Sequence, residues 1–382
     1  MLPYAHQDIS DDDVAAVVAA LRSDWLTTGP RVPEFEEALA AATGARHAVA
    51  FSSGTAALHG AMASLNLAPG DDVVTTPLTF AATANAVLYA GGEPRFADID
   101  PGSLMLDPAA AAAALTARTR AVAPVDYAGQ PADYDALRAV ANAAPGGPIP
   151  IVADAAHSLG ATWHGRQVGT LADLTVLSLH PAKILTTGEG GAVLTDDDVR
   201  AAFLRRFRNH GIGTELAARR DWTYAMVELG YNYRLTDVMA ALGTSQLKRL
   251  DEFLGARRRL AARYRAALVG HWAVDVQVVD PAADPAWHLF VVQLRLDRLR
   301  EDRGEVYRAM RAEGIGVNVH YIPVHRHPFY RGRYPDLEGR LPVAEGAYER
   351  LLTLPLFSAM TDADLDDTVA ALDKVAEAFR AG

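Results

Sequence analysis

Lys183 and Asp154 are charged side chains at places where packing alone gives little use for them. Lys183 lies in Ser178-Leu-His-Pro-Ala-Lys183, after the apolar run Leu174 to Leu179 and before Gly188-Glu-Gly-Gly191 and a second apolar run, Ala192 to Leu194. Pro181 cannot donate to a strand ladder, so the first run reads as a buried strand that has ended. The lysine then belongs to a tight connection leading to a second buried strand. An ammonium held there is costly unless it is paired or neutralised, and a neutralised amine is a nucleophile suited to Schiff-base chemistry. The plain alternative is a lysine that snorkels from a loop to solvent. Asp154 ends the run Ile149 to Ala153 and opens Asp154-Ala-Ala-His157. In parallel α/β sheets, ligands bind beyond the carboxyl ends of the strands, where this carboxylate would stand.

An acidic strand tip, then Ser-x-x-x-x-Lys, then a glycine-rich turn is, in that order and spacing, the arrangement of a fold-type I pyridoxal phosphate enzyme. In such a site the aspartate keeps the pyridine nitrogen protonated and the lysine forms the Schiff base. Ser52-Ser53-Gly54-Thr55 follows the short strand Ala48 to Phe51 and starts a helix. The free N–H groups and dipole of that helix start would attract a phosphate, although an ordinary capped helix reads the same way. Phe80 opens a helix at the same sheet edge as Gly54, where it either stacks on a flat ring or serves the core. The stretch Asp24 to Pro30, which includes Thr28, interrupts two helical patterns as a site wall or a connector. His320, His325 and His327 suggest metal ligands, but Pro323 and Pro328 break any regular scaffold and no carboxylate sits nearby, so no metal is expected. Gly188-Glu-Gly-Gly precedes a strand rather than following one, which excludes a dinucleotide loop.

The elements that must position these residues alternate between strand and helix. Ser10 caps a helix with apolar positions Val14, Val17, Val18 and Leu21, and Val32 to Ala42 forms another. Strands are expected at Ala48 to Phe51, Val73-Val74, Arg95 to Ile99, Ala121 to Val125 and Ile149 to Ala153. Helices fall between them at Ala81 to Ala90, from Pro108, and at Tyr134 to Ala144. This alternation predicts an α/β fold with a mainly parallel sheet and helices on both faces. After the helix Asp197 to Asn209 come His210-Gly-Ile-Gly213, a polar stretch to Thr223, and Gly230-Tyr-Asn-Tyr-Arg234. Thr236-Asp237 then cap a helix running to Leu247. From about Asp251 the pattern changes to a long charged helix, β-rich segments at His288 to Leu296 and Gly316 to Tyr321, and a closing helix Asp362 to Phe379. The expected division is a large domain over 1–250 and a smaller α+β domain over 251–382.

Composition narrows the function classes. A net charge of −11 argues against general affinity for nucleic acid, and the absence of cysteine excludes disulfides, thiolate metal sites and a cysteine nucleophile. No segment has the apolar length of a membrane span, and the N-terminus lacks a signal-like core, so a cytoplasmic protein is expected.

On Ser53-Gly-Thr55, Asp154-Ala-Ala-His157, Ser178 to Lys183, Gly188 to Gly191 and Gly230 to Arg234, the chain resembles the DegT/DnrJ/EryC1/StrS family of sugar aminotransferases, nearly end to end. The resemblance implies the fold-type I architecture and pyridoxal 5'-phosphate, with pyridoxamine 5'-phosphate as its aminated form. Carried over by residue, it implies that Lys183 links to the cofactor, Asp154 meets the ring nitrogen, and Phe80 and His157 flank the ring. Ser53, Gly54, Thr55 and Ser178 would bind the phosphate, and Asn232 would reach the phosphate held by the other subunit of a homodimer. Thr28, His320, Tyr321 and His325 are the expected substrate contacts. Pro3 to Gln7, Arg22 to Leu26, His180-Pro181 with Thr186 to Glu189, and His320 to His325 suggest a branch that transfers the amino group of glutamate to C4 of a UDP-linked 4-keto-6-deoxy-N-acetylhexosamine, in a pseudaminic acid-type pathway. Leu179, Ala182 and Ala81 are apolar exchanges from that branch beside the chemistry. The alternatives are a dTDP-linked keto-sugar or an aminocyclitol ketone as acceptor, and a non-catalytic regulator that binds the cofactor. Sugar dehydratases of the same fold carry histidine at the lysine position, which Lys183 opposes.

Overall fold

The computed structural model describes residues 1–213 and 222–382, so the polar stretch expected after Gly213 lies, up to residue 221, outside the described residues. The strands in chain order are β1 (His47–Phe51), β2 (Asp72–Thr75), β3 (Glu93–Phe96), β4 (Thr119–Ala123), β5 (Val152–Asp154), β6 (Thr162–Trp163), β7 (Arg166–Gln167), β8 (Leu174–Ser178), β9 (Gly191–Thr195), β10 (Val274–Val276), β11 (Ala283–Asp284), β12 (Phe290–Leu294) and β13 (Leu351–Leu354). The helices are α1 (Asp11–Leu21), α2 (Arg31–Thr43), α3 (Gly54–Ala63), α4 (Ala82–Tyr89), α5 (Pro108–Ala114), α6 (Tyr134–Asn142), α7 (Asp198–Phe207), α8 (Asp237–Leu247), α9 (Leu250–Leu268), α10 (Arg303–Ala312), α11 (Pro328–Arg333), α12 (Pro342–Arg350) and α13 (Asp362–Ala378).

Ladders order one sheet as β1-β9-β8-β5 and another as β3-β2-β4. Parallel bridges Val122↔Ile151 and Val125↔Asp154 join them edge to edge. In the joined sheet, β9 runs antiparallel to both β1 and β8, and the remaining pairings are parallel. Side chains alternate across a strand, and here the alternation separates two cores. Val49, Phe51, Val73, Ala121, Val152, Val176 and Val193 face α3, α4 and α7. Ala48, Ala50, Val74, Val122, Ala153, Leu177 and Ala192 face α2, α6 and α8. Because both faces are covered, the strands read as continuous apolar runs rather than as hydrophobic-polar alternation.

A separate antiparallel sheet, β10-β12-β13, packs with α9, α10 and α13 around Tyr264, Phe290, Met310 and Leu372. Leu250, Phe253 and Leu254 of α9 belong to the core of the large sheet, whereas Leu260, Tyr264 and Leu268 belong to this one. A division of the chain near 250/251 is proposed on that change of partner within one helix. The start of the chain crosses to this side as well, through the bridge Leu2↔Ile315.

Two expected strands differ. β3 ends at Phe96, and Ile99 makes only a bridge to Leu106; Pro101 and Gly102 turn the chain there. Gly316 to Tyr321 forms no strand: Asn318 exchanges backbone hydrogen bonds with Thr353 and the chain then bends toward the large sheet. Capping follows the sequence closely, with Ser10 and Asp13 forming a capping box on α1, Thr361 and Asp364 another on α13, and Thr236 capping α8. None of the described helices is long and apolar enough to cross a membrane.

Candidate active site

A cavity of about 430 Å³ opens at the carboxyl ends of β5 and β8 and brings together Ser53, Gly54, Thr55, Phe80, Asp154, His157, Ser178, Lys183, His320 and Tyr321. Each arrives for a local reason. Ser53 caps α3 by accepting the Ala56 N–H, while Gly54 and Thr55 carry earlier amides that a helix leaves without intrahelical acceptors. A Cβ on Gly54 would lie 3.0 Å from the Ser178 Cβ, so glycine there lets the serine at the end of β8 close on the helix start. A Cβ on Gly191 would lie 2.6 Å from the Gly54 nitrogen and 2.6 Å from the Ser53 carbonyl oxygen, which are backbone atoms. Gly191→Ala should therefore push the helix start away, since overpacking costs about 1–3 kcal/mol. The expected result is a roughly 5- to 150-fold weaker hold on a phosphate-bearing ligand, read by absorbance titration alongside the melting temperature.

Lys183 sits between β8 and β9 in a connection longer than the expected tight turn, folded back on itself. Its own N–H donates to the His180 carbonyl (2.8 Å), the Leu179 N–H to Gly190 (2.9 Å) and the Thr187 N–H to Leu179 (3.1 Å). Burial pulls the Lys183 amine down to about 8, against the opposing pull of the Asp154 carboxylate. The neutral amine is the nucleophile and forms above this value. Its rate of capture of an aldehyde in the cofactor-free protein should rise with pH and level off above about 8, as stopped-flow absorbance would record. A rate still climbing toward the ordinary lysine value of 10.5 would contradict this.

Asp154 is buried at the tip of β5. Its carboxylate accepts the Thr83 hydroxyl (2.6 Å) and the Ala156 N–H (3.2 Å). Thr83 in turn lies 2.8 Å from the Thr79 hydroxyl, which therefore donates to it. Burial pushes the Asp154 carboxyl above its ordinary value, while these two donors and the Lys183 charge pull the other way. A positive group against this carboxylate would restore the balance.

His157 is held well below its ordinary value by burial and then by the Lys183 and His320 charges, so its ring is neutral. Its Nε2 meets the Tyr321 hydroxyl at 3.0 Å, its ring centroid lies 4.3 Å from that of His288, and its Nδ1 is buried without a partner. Asp126 fixes the segment just after it, accepting the Ser158 and Tyr134 hydroxyls (2.5 and 2.9 Å) and the Ala132 N–H (2.9 Å). Burial pushes the Asp126 carboxyl up to about 7 even so. Across the cavity Phe80 is 62% exposed, with its ring 6.1 Å from Tyr321.

Three expected residues lie elsewhere in the chain. Thr28 is exposed on a loop that Asp237 pins through the Gly29 and Arg31 amides (2.8 and 2.9 Å). Asn232 is exposed and bridged to Asn209. His325 is buried away from the cavity, 3.0 Å from the Glu345 carboxylate and against Phe96. Glu345 corrects the expectation that no carboxylate lies near these histidines, because α12 brings it from beyond the searched stretch. Among the described residues, no three acidic or imidazole side chains are placed to hold a metal.

Sequence reasoning missed Tyr4, Thr79, His180, Glu189 and His288 in the cavity lining, and Thr83 on Asp154. His288 reaches the site because the Tyr127 to Gly129 turn touches its backbone: a Cβ on Gly129 would lie 2.7 Å from the His288 nitrogen. No local pattern announces such a contact. Tyr4 stood in a segment noted only for its resemblance, and His180 stood within the lysine stretch without a role of its own.

Pyridoxal phosphate suits this donor set. The carboxylate fits a pyridinium nitrogen, the amine its aldehyde carbon, the α3 start its phosphate, and a neutral imidazole its flat face.

A family model described as the DegT/DnrJ/EryC1/StrS aminotransferase family matches residues 7–373. The spore coat polysaccharide biosynthesis protein SpsC of Bacillus subtilis is 39% identical over 376 residues, 97% of this chain and 96% of that protein. The putative sugar aminotransferase Spr1654 of Streptococcus pneumoniae, in its PMP-form, superposes with a TM-score of 0.93 at 29% identity, covering 99% of this chain and 100% of that one; its PLP-form gives 0.92. PseC of Helicobacter pylori, an aminotransferase involved in the biosynthesis of pseudoaminic acid, superposes with a TM-score of 0.92 at 27% identity, covering 99% and 100%.

Proposed function

Since the chain belongs to the DegT/DnrJ/EryC1/StrS aminotransferase family and is a sugar aminotransferase that uses pyridoxal phosphate, we propose that it moves the amino group of glutamate to C4 of a UDP-linked 4-keto-6-deoxy-N-acetylhexosamine. The observation that carries the reaction is the convergence of Asp154, Lys183 and the α3 start in one cavity. The likeness to PseC supports the choice of sugar.

When bound, the cofactor supplies an electron sink for the pair left behind as a proton leaves the substrate carbon. Lys183, whose amine titrates at about 8 and so shares out its two forms there, takes that proton from one carbon and returns it to another. Asp154 sets a fixed negative charge against the ring nitrogen, and Thr83 keeps it oriented through Oδ2. His157, uncharged, covers one ring face without repelling the positive ring, and Phe80 covers the outer side. Ser53, Gly54, Thr55 and Ser178 hold the phosphate, and His320 and Tyr321 face the sugar.

A homodimer completes the site in this reading. Met226, Val227 and Leu229, next to the Asn232 segment, are 66%, 61% and 75% exposed, an apolar surface suited to a second copy of the chain. Asn232 then reaches the phosphate of the other subunit. A second reading keeps the reaction and changes the sugar to a dTDP-linked keto-sugar or an aminocyclitol ketone. The observation behind it is that the chain is 27% identical to PseC but 39% identical to SpsC, a spore coat polysaccharide biosynthesis protein, so likeness to PseC alone leaves the acceptor open.

The test is a visible spectrum of the protein with pyridoxal phosphate, before and after glutamate and then after a UDP-linked 4-keto-6-deoxy sugar. The carbonyl-form band should vanish with glutamate and return with the sugar. Return only with a dTDP-linked sugar or a cyclitol ketone selects the second reading, and no response to glutamate overturns both.

A further inference from the structure

His59 lies on α3, further along the helix whose first residues form the phosphate cup, and is enclosed by aromatic rings. Its centroid lies 4.9 Å from that of Tyr231, 5.1 Å from Phe207, 5.5 Å from Tyr89 and 5.9 Å from Tyr233. Burial holds the imidazole below its ordinary value, against the effect of a hydrogen bond that the ring donates to the Tyr89 backbone, so the ring is neutral. Its Nδ1 faces the Tyr233 hydroxyl at 3.2 Å. Tyr233 also meets the cup from its backbone side, because its carbonyl accepts the N–H of Ser52 at 2.8 Å, one residue before Ser53.

Tyr231 and Tyr233 stack on each other at 5.0 Å with planes 9° apart, both against His59. In an extended segment alternate side chains point to opposite sides, so this pairing turns Asn232 outward, where it is exposed. The segment that offers Asn232 to a neighbour is backed by the end of α7, through the Tyr231 and Tyr233 N–H bonds to the Phe207 and Arg208 carbonyls, and is tied to the body that cups this subunit's own phosphate at Ser52 and at His59.

We propose that His59 and Tyr233 are positioning residues that couple the two cofactor sites of the dimer, by holding Asn232 in register with the cup of the subunit that donates it. The inference rests on the reading of Asn232 as a ligand of the partner's phosphate. The coupling acts on the phosphate end of the cofactor alone, and neither residue touches the reacting atoms.

The test titrates the cofactor-free, full-length protein with pyridoxal phosphate and with pyridoxal, which lacks the phosphate, after confirming that each variant is still dimeric. Tyr233→Phe and His59→Leu should weaken binding of pyridoxal phosphate about fivefold, the effect of one ordinary hydrogen bond, and leave pyridoxal unchanged. His59→Asn, which keeps a polar atom near the Nδ1 position, should restore the affinity. If Tyr233→Phe changes neither ligand, or both equally, the coupling is refuted and the contact is merely structural. Asn232→Ala separates the two ideas. Loss of phosphate affinity in Asn232→Ala but not in Tyr233→Phe removes this inference alone, whereas no loss in a dimeric Asn232→Ala removes the reading beneath it as well.

Discussion

Lys183→Ala should lower kcat by about 10⁴-fold or more, while the protein still binds pyridoxal phosphate through the cup and Asp154. A well-placed proton-transfer group accounts for about 10²–10⁴-fold by itself, and this variant also loses the amine that captures the cofactor. The absorbance band of the lysine-linked cofactor should be replaced by that of the free aldehyde. Added small primary amines should recover part of the rate, because the space vacated by the side chain opens onto the cavity. Steady-state turnover near that of the unmodified protein would end the assignment of Lys183. The substitution removes a desolvated amine from a loop whose backbone bonds are untouched, so the fold should survive.

Asp154→Asn should cost about 10²–10³-fold in kcat/KM, a loss comparable to that of one preorganised electrostatic contact. The amide keeps the size of the side chain and can still accept the Thr83 hydroxyl, so the geometry of α4 and β5 is preserved. It cannot keep a ring nitrogen positive, so the sink for electrons weakens while cofactor binding falls less. Rates of the glutamate half-reaction by stopped flow, set beside cofactor affinity, separate these effects. Equal losses in both would mean that Asp154 serves binding alone. Thr83→Val offers a milder comparison, leaving the carboxylate in place without its strongest donor.

The residues that announced the site are those whose chemistry conflicts with their surroundings. A charge at the tip of an apolar strand and an amine beside a proline and glycines are legible because local packing does not explain them. The two-faced sheet was equally legible, since runs such as Val73-Val74 and Ala192 to Leu194 must be covered on both sides. What escaped depends on contacts across long sequence separations. Thr83 meets Asp154 from α4, Glu345 meets His325 from α12, and His288 is delivered by a backbone approach at Gly129. The Gly316 to Tyr321 segment misled for a related reason. Its alternating pattern suits a strand, but Asn318 alone bridges to the open edge of β13, while Gly316 donates to the Leu2 carbonyl instead.

The Lys183 connection is, in effect, a hairpin whose stem is the large sheet itself. β8 and β9 pair in register from Thr175↔Leu194 to Ser178↔Gly191, and the Leu179 to Gly190 bond carries the stem one step further. Both roots of the loop are thus clamped by the ladder that also sets Ser178 and Gly191 against the phosphate cup. His180 and Glu189, at the outer rim of the same loop, are exposed and line the cavity without belonging to that ladder. The His180 ring ties into the loop, its Nδ1 accepting the Ala182 N–H at 3.2 Å, so of the two Glu189 is the side chain whose exchange should leave the amine and the cup in place. Substitution of Glu189 should therefore change which acceptor sugars are used while the position of the Lys183 amine stays fixed by the ladder at its roots.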